Sequence, residues 1–368
     1  MSDSVRNSTP HIKLYIPGPV EVRPKILDAQ AHWMIGHRMP ECLALMARVK
    51  PKLQQVFFTN QRVLILASTG SGFWEAASRN CVARKVLHCV SGAFAKRWVD
   101  VSVANGKEVE VLDVPWGQAV LPDQVVDRLK GGDFDALAIV HNETSTGVTN
   151  PIRDIAAAVR ALPNGQDIII MVDSVSGLSG AELRMDEWDL DVVITSGQKA
   201  FALPPGIAFC GVSERAMQKA ATVKNRGWYF DFLTIAKDYD KDQTPSTTPV
   251  SLLYATDVQL EDMLAEGMEA RFARHLAMRD ATIEWVRSRG FDLYGDPAYA
   301  SPTLTNIANP DGKLDIAALN KFLRSRGMII SNGYGTLKGK AFRIAHMGDL
   351  QMSDMQELFA TIDEYLGV

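Results

Sequence analysis

From Arg62 onward, short apolar runs alternate with longer stretches in which apolar residues return every three or four positions. The runs are Val63–Ser68, Lys85–Val90, Glu108–Val114, Ala136–His141, Ile168–Val172, Val192–Thr195 and Ile207–Val212. Most are β-branched and lack polar alternation, so they read as strands covered on both faces. The helical patterns between them are Trp74–Ala83, Ala93–Ala104, Pro122–Leu129 and Ile152–Leu162. This alternation predicts an α/β fold, with a mainly parallel central sheet sandwiched by helices. Ligands of such sheets sit beyond the carboxyl ends of the strands.

The flanks read differently. Residues 1–13 are expected to form a loose arm, and Tyr15-Ile-Pro-Gly-Pro19 a stiff extended segment, because each proline fixes its own φ and restricts the residue before it. Pro40 to Phe58 carries Leu43, Met46, Leu53 and Phe57 near helical spacing, with a break or kink expected at Pro51. Glu214–Thr222 reads as helix, and Lys224–Pro249 as irregular. Val250 to Gly290 is mostly helical, with a break expected near Gly267. The remainder predicts strand Thr303–Ile307, helix Asp315–Arg326, strands Met328–Ser331 and Ala341–Ala345, and helix Ser353–Leu366. That is a compact α+β unit. The expected division is an N-terminal arm over 1–20, a large domain over 21–262 and a small C-terminal domain over 263–368.

Composition narrows the partners. The formal net charge is −4 and no block of lysine or arginine occurs, which argues against nucleic acid or an acidic membrane surface. No apolar run approaches the roughly 20 residues of a membrane helix. The polar N-terminus lacks a signal peptide's apolar core. Cys42, Cys81, Cys89 and Cys210 show no C-x-x-C pairing and read as reduced thiols of a cytoplasmic protein, not as a zinc site.

Four features fall at strand ends. Ser68-Thr-Gly-Ser-Gly72 lies between a strand and a helix, where backbone N–H groups can approach an anion, or where a tight turn is simply needed. Its last position fails the G-x-G-x-x-G pattern, which disfavours a dinucleotide. His141 to Gly147 gathers hydrogen-bonding groups, as a binding wall or a capped polar loop would. Ile168 to Val172 ends in Asp173, a carboxylate that needs a cation or several donors, or that caps a helix. Ser196-Gly-Gln-Lys199, followed by Pro204-Pro-Gly206, holds a lysine on a constrained turn. That lysine is either a solvated surface residue or a Schiff-base amine, partly desolvated to lose its proton near neutral pH.

Together these supply what pyridoxal phosphate requires: a phosphate cradle, a carboxylate for the pyridinium nitrogen and an amine for the aldehyde. At ~3 Å and an effective dielectric of ~20, the carboxylate–pyridinium attraction is worth roughly 5 kcal/mol. That keeps the ring nitrogen protonated. Lys199, once displaced, is then placed as the proton-transfer base. Arg343, inside the strand pattern Ala341–Ala345, either takes a substrate carboxylate in its guanidinium fork or pairs with an internal one.

Thr69-Gly-Ser71, the run His141 to Gly147, Val172-Asp-Ser-Val175, Ser196-Gly-Gln-Lys199, Pro204-Pro-Gly206, Thr247-Thr-Pro249 and Phe342-Arg-Ile344 resemble the class V, fold-type I pyridoxal-phosphate aminotransferases. The likeness runs from Pro17 to the C-terminus and is strongest to the alanine–glyoxylate and serine–pyruvate branch. It implies that Lys199 bonds to the cofactor aldehyde and Asp173 pairs with the ring nitrogen. It implies that Thr69, Gly70, Ser71 and Gln198 hold the phosphate, with Thr247 reaching in from the partner subunit of a homodimer. It further implies Thr144 near the ring hydroxyl, Phe94 stacked on one ring face, Val175 on the other, and Arg343 on the substrate carboxylate.

The sequence departs from that pattern at three places. Phe94 stands where some relatives have tryptophan, Ser71 where the animal enzymes have histidine, and Thr244 near a phosphate-binding tyrosine. The C-terminus is no peroxisomal address.

The implied reaction moves an amino group from alanine or serine to glyoxylate or pyruvate. A phosphoserine or aminophosphonate aminotransferase is the alternative, with Gly36-His-Arg38 and Arg226 as candidate charges. A cysteine desulfurase-type lyase is disfavoured because no cysteine follows Cys210. A non-catalytic fold relative is disfavoured by the presence of both Lys199 and Asp173.

Overall fold

The computed structural model describes residues 10–368. Its strands, in chain order, are β1 Lys13–Tyr15, β2 Arg62–Leu66, β3 Lys85–Val90, β4 Glu108–Asp113, β5 Ala136–Val140, β6 Asn142–Glu143, β7 Val148–Thr149, β8 Ile169–Asp173, β9 Val192–Ser196, β10 Ala208–Val212, β11 Leu304–Ala308, β12 Met328–Asn332 and β13 Ala341–Ala345. Seven form the central sheet in the order β2-β10-β9-β8-β5-β3-β4. All pair in parallel except β10, which runs antiparallel to both neighbours. The mainly parallel sheet expected from the sequence is therefore present.

Apart from the edge strand β4, which alternates and is mostly exposed or half-buried, the absence of polar alternation in these strands follows from their burial. Along β8, Ile170 and Val172 join the core formed with helices Pro40–Phe57, Ile152–Arg160 and Val250–Glu266. Ile169 and Met171, one step out of phase, join the core under Gly70–Cys81, Ala93–Ala104 and Glu214–Thr222. Successive side chains point to opposite faces of a sheet, and here both faces are dry.

The second sheet has the order β1-β12-β13-β11 and its own core, built with helices Met268–Ser288, Ile316–Ser325 and Met352–Leu366. Here three expectations are corrected. The arm read as loose over residues 1–13 is ordered at its end: β1 pairs in parallel with β12, Lys13 opposite Met328 and Tyr15 opposite Ile330. The rest of that reading, residues 1–9, lies outside the described residues. The helix Pro40–Phe57 runs on through Pro51 without a break and ends at Phe58 in the left-handed region. The stretch read as irregular contains a helix, Phe232–Tyr239, whose first turn is capped by the Asp231 side chain accepting from Leu233 N–H at 3.1 Å. Asn80 secures it by accepting from Phe232 N–H (3.0 Å) and donating to the Phe230 carbonyl (2.8 Å). Phe232 is fully buried, worth roughly 2–3 kcal/mol. The break at Gly267 is present, with φ +83.

Candidate active site

Five parallel strands deliver the site residues. Thr69 to Ser71 follow β2, Phe94 follows β3, Asn142 to Thr144 follow β5, Asp173 ends β8, and Gln198 and Lys199 follow β9. One cavity of about 320 Å³ gathers them: Thr69, Gly70, Ser71, Phe94, Thr144, Asp173, Val175, Gln198 and Lys199 all line it. Thr247 does not; it is exposed on this chain. Arg343 stands behind the wall, its Nη1 donating to the Thr144 carbonyl at 3.4 Å.

At one end, helix Gly70–Cys81 points its N-terminus at the cavity, and no side chain caps it. The first N–H groups of a helix have no intrahelical acceptor and attract an anion. Gly70 is required by space: a Cβ there would overlap Val175 Cγ2. Two buried polar atoms beside this end, Ser196 Oγ and Gln198 Oε1, have no hydrogen-bond partner among the described residues. Buried polar groups ordinarily have partners, so these two, at the anion seat, are free to serve a ligand there.

At the cavity floor lies Asp173. One carboxylate oxygen accepts from Val175 N–H (2.7 Å) and the other from the Trp74 indole N–H (2.8 Å). Burial is the larger effect and pushes the carboxyl up to about 7, against those two donors. The nearby Glu143 pushes the same way, and Lys199 opposes it. The Lys199 amine moves in the opposite direction, down to about 8, first through burial and then through the Arg343 cation, with Asp173 opposing. Lys199 Nζ donates to the Pro17 carbonyl and lies 6.0 Å from the Phe94 ring centroid. The segment predicted to be stiff thus closes over the lysine, with Gly18 and Pro19 in the cavity wall.

Glu143 explains the polar run after β5. Its buried carboxyl forms no ion pair among the described residues, although its charge acts on the nearby Arg343; it accepts from Ala95 N–H (3.0 Å), Phe94 N–H (3.4 Å), Ser145 N–H (3.0 Å) and Ser145 Oγ (2.6 Å). It thereby fixes the start of helix Ala93–Ala104 and the place of Phe94. Burial raises its pKa. Thr144 Oγ1 donates to Ser176 Oγ (2.8 Å), which donates to the Asn142 carbonyl (2.8 Å).

Arg343 has no carboxylate within ion-pair distance among the described residues. Its Nε donates to the Asn332 carbonyl (3.0 Å), its guanidinium lies 5.6 Å from the Tyr334 ring centroid, and burial lowers its pKa to about 10. The salt-bridge alternative for Arg343 is therefore not realised among the described residues. Arg226, by contrast, is engaged: its Nε pairs with Asp231 at 2.9 Å and its Nη1 with two carbonyls. Arg38 holds Gln243 and the Pro245 carbonyl. Neither lines the cavity.

Sequence reading missed Trp74, Ser176 and Arg97, all in the lining, and Tyr334, which stacks on Phe94 with centroids 5.0 Å apart; Asn142, Gly18 and Pro19, also in the lining, fell inside quoted segments without being assigned to the site. Trp74 left a signal, since a buried indole needs an acceptor and this one sits a turn after the glycine loop. The others carry no local pattern.

The arrangement therefore offers an anion seat, Phe94 and Val175 in the cavity wall, a buried carboxyl and a desolvated amine. The class V aminotransferase family model matches residues 26–350. The chain is 34% identical over 345 residues to the L-aspartate–glyoxylate aminotransferase of Paracoccus denitrificans, covering 92% of this chain and 86% of the relative. It is 31% identical over 350 residues to the serine–glyoxylate aminotransferase of Methylorubrum extorquens, with 92% and 86% covered. Among solved structures, the alanine–glyoxylate aminotransferase of Nostoc sp. superposes with a TM-score of 0.91 at 28% identity, covering 97% of this chain and 96% of that one. With its lysine, its strand-end aspartate and its helix-borne anion seat in one cavity, the chain belongs to the class V aminotransferases, enzymes of the fold-type I architecture.

Proposed function

We propose that the cavity binds pyridoxal 5′-phosphate and that the enzyme moves an amino group from a small amino acid, alanine or serine, to a small 2-oxo acid, glyoxylate or pyruvate. The observation that carries this reading is the meeting of Asp173, Lys199 and the uncapped helix start at Gly70 around one cavity. The unpartnered Ser196 Oγ and Gln198 side chain fit a phosphate that they would help to hold with Thr69, Gly70 and Ser71. Phe94 and Val175 would flank the ring. Thr144 would face its hydroxyl, and Asp173 would hold a proton on the ring nitrogen.

When bound, pyridoxal phosphate supplies an electron sink for the substrate's α-carbon. Lys199, with its amine brought toward neutrality, carries a proton to and from that carbon. Arg343 takes the substrate α-carboxylate, which would give its buried cation the ion-pair partner it lacks among the described residues. We further propose a homodimer in which Thr247 of one protomer reaches the phosphate of the other. Its exposure on the single chain fits that role. Four free, buried cysteines fit the reducing cytoplasm. Among the described residues no helix is long and apolar enough to cross a membrane.

The relatives named for glyoxylate support the acceptor. The phosphoserine alternative loses support because Arg38 and Arg226 are engaged away from the cavity. The desulfurase alternative loses it because no cysteine lines the cavity and all four are buried. Purified protein supplied with the cofactor is expected to be yellow and to bleach on adding alanine or serine. Lys199→Ala is expected to remain folded but to lose turnover. Full turnover in that variant would reject the reading.

A further inference from the structure

A helix packed on the central sheet grips one residue of the second sheet's loops. Phe94 and Arg97 stand three positions apart on helix Ala93–Ala104, so they share a face. Both line the cavity, and both reach Tyr334, in the loop after β12. The Tyr334 ring stacks on Phe94 with centroids 5.0 Å and planes 28° apart, and its hydroxyl accepts from Arg97 Nη2. The same ring lies 5.6 Å from the Arg343 guanidinium carbon. The loop holds Arg343 a second time, through the Asn332 carbonyl, which accepts from Nε at 3.0 Å. It is also tied to itself. The Asn332 side chain accepts from the N–H groups of Gly333 (2.8 Å) and Gly339 (2.9 Å), and Leu337 N–H donates to the Tyr334 carbonyl (3.0 Å). Gly333 is required there by space, since a Cβ would overlap the Leu337 carbonyl. A half-buried tyrosine needs none of this for its own burial. What the ring makes is contact with two groups of the site that are carried by different sheets.

Resting on the aminotransferase reading above, we propose that Tyr334 is a positioning residue whose ring couples Arg343, the seat of the substrate carboxylate, to Phe94, the wall against the cofactor ring. Glu143 holds Phe94 only by its backbone N–H, at 3.4 Å, which leaves the phenyl ring to be backed by Tyr334. Arg343 donates to two backbone carbonyls, Asn332 and Thr144, which direct a guanidinium without neutralising it. A ring within about 6 Å does the same, since its π face attracts a cation but carries no net charge. A carboxylate at this position would fix Arg343 more firmly and would compete with the substrate for it. The aromatic ring therefore orients the arginine and leaves its charge for the incoming carboxylate. The hydroxyl is secondary: its bond to Arg97 lies at an exposed edge, where such bonds are weak. A shift of Arg343 toward a bound carboxylate then bears on Phe94 through the one ring that touches both.

The test compares wild type, Tyr334→Leu and Tyr334→Phe, each with and without the cofactor. Three readouts are taken beside melting temperature: calorimetric binding of propionate, which has the carboxylate but no amine to react; the visible circular dichroism of bound pyridoxal phosphate; and kcat/KM for alanine with glyoxylate. A cation–ring contact and an aromatic stack are each worth about 3- to 20-fold in an equilibrium. Tyr334→Leu loses both, so propionate affinity should fall by that factor, the dichroic band should change in intensity, and kcat/KM should fall about 10- to 100-fold. Tyr334→Phe keeps the ring and should restore all three to within about 3-fold of wild type. A merely structural tyrosine would lower the melting temperature of Tyr334→Leu and leave propionate binding and the dichroic band as they were; that result overturns the proposal. So does a change in only one of the two, a Tyr334→Phe as impaired as Tyr334→Leu, or a wild type that does not bind propionate. A wild type that binds no cofactor or turns over no donor would strike the aminotransferase reading instead, and propionate binding to the cofactor-free proteins would still decide whether Tyr334 positions Arg343.

Discussion

Asp173 is held where its ionisation costs the fold stability, and that cost can be measured by pH. Burial moves its titration from the ordinary 3.8 to about 7. Between those values the folded protein keeps a proton that the unfolded chain has lost. The native state binds more protons, so stability falls as pH rises through this window, and the loss is complete above about 7. From pH 5 to pH 8 the loss is on the order of 3 kcal/mol. Asp173→Asn removes the titration. The amide also mispairs with one of the two N–H donors, a constant penalty of about 1–3 kcal/mol. The quantity to follow is therefore the difference between variant and wild type across pH, from which the constant cancels. In cofactor-free protein, melting temperatures are expected to shift in the variant's favour by roughly 3–6 °C between pH 5 and pH 8. Lys199 acts in the same direction: its depressed pKa adds stability as pH climbs above about 8, and Asp173→Asn removes a charge that raises that pKa, so in the variant the gain begins at lower pH. Added pyridoxal phosphate should flatten the wild-type slope, since a cation beside Asp173 favours its charged form. Parallel curves for the two cofactor-free proteins from pH 5 to pH 8 would refute the reasoning.

Trp74→Phe removes the indole donor from Asp173. The carboxyl should titrate about one to two pH units higher, seen as an upward shift of the acidic limb of the kcat/KM profile, while an unmoved limb would leave the indole only a packing role. Gly70→Ala would ordinarily strengthen a helix by about 1 kcal/mol. Here the methyl meets Val175, so cofactor affinity, read by fluorescence titration, should weaken about tenfold or more and stability should fall by about 1–3 kcal/mol. Arg343→Ala should lower kcat/KM for alanine by about 100-fold or more, and an unchanged value would make the arginine structural.

Much of the large sheet was legible because a strand buried on both faces writes a continuous apolar run, as in Ile168–Val172. What was not legible was decided at long range. β1 is three residues long, and its partners Met328 to Ile330 lie more than three hundred positions away. Phe232–Tyr239 spans eight residues among polar neighbours and is secured by Asn80, on another helix. The same division runs through the site. Lysine, aspartate and glycine loop announced themselves at strand ends, where the α/β rule says to look. Tyr334, Arg97 and the Pro17 carbonyl entered through tertiary packing. Glu143 sat inside a quoted motif, yet its work, capping the helix that carries Phe94, shows only once β5 and that helix are side by side.

The lysine motif itself is less local than it looks. The carbonyl of Ala200, next to Lys199, accepts from Ser179 Oγ at 2.8 Å and from Arg271 Nη2 at 3.0 Å. Arg271 is fully buried on helix Met268–Ser288 and also reaches the Ser179 carbonyl, Glu266 and Asp349. Asp349 in turn takes Arg23, so the chain on either side of the site is tied to the backbone that carries the amine. Two residues past Ala200, Ala202 lies in the left-handed region at φ +52, and its N–H returns to the Lys199 carbonyl at 2.8 Å. A non-glycine residue holds that conformation only where the surroundings impose it. Buried ion pairs add little net stability, because desolvation offsets most of their attraction. Position is what this network supplies: an amine proposed to meet one small ring cannot ride on a turn free to relax. The short motif names the proposed nucleophile, and a guanidinium some seventy residues downstream keeps it in place.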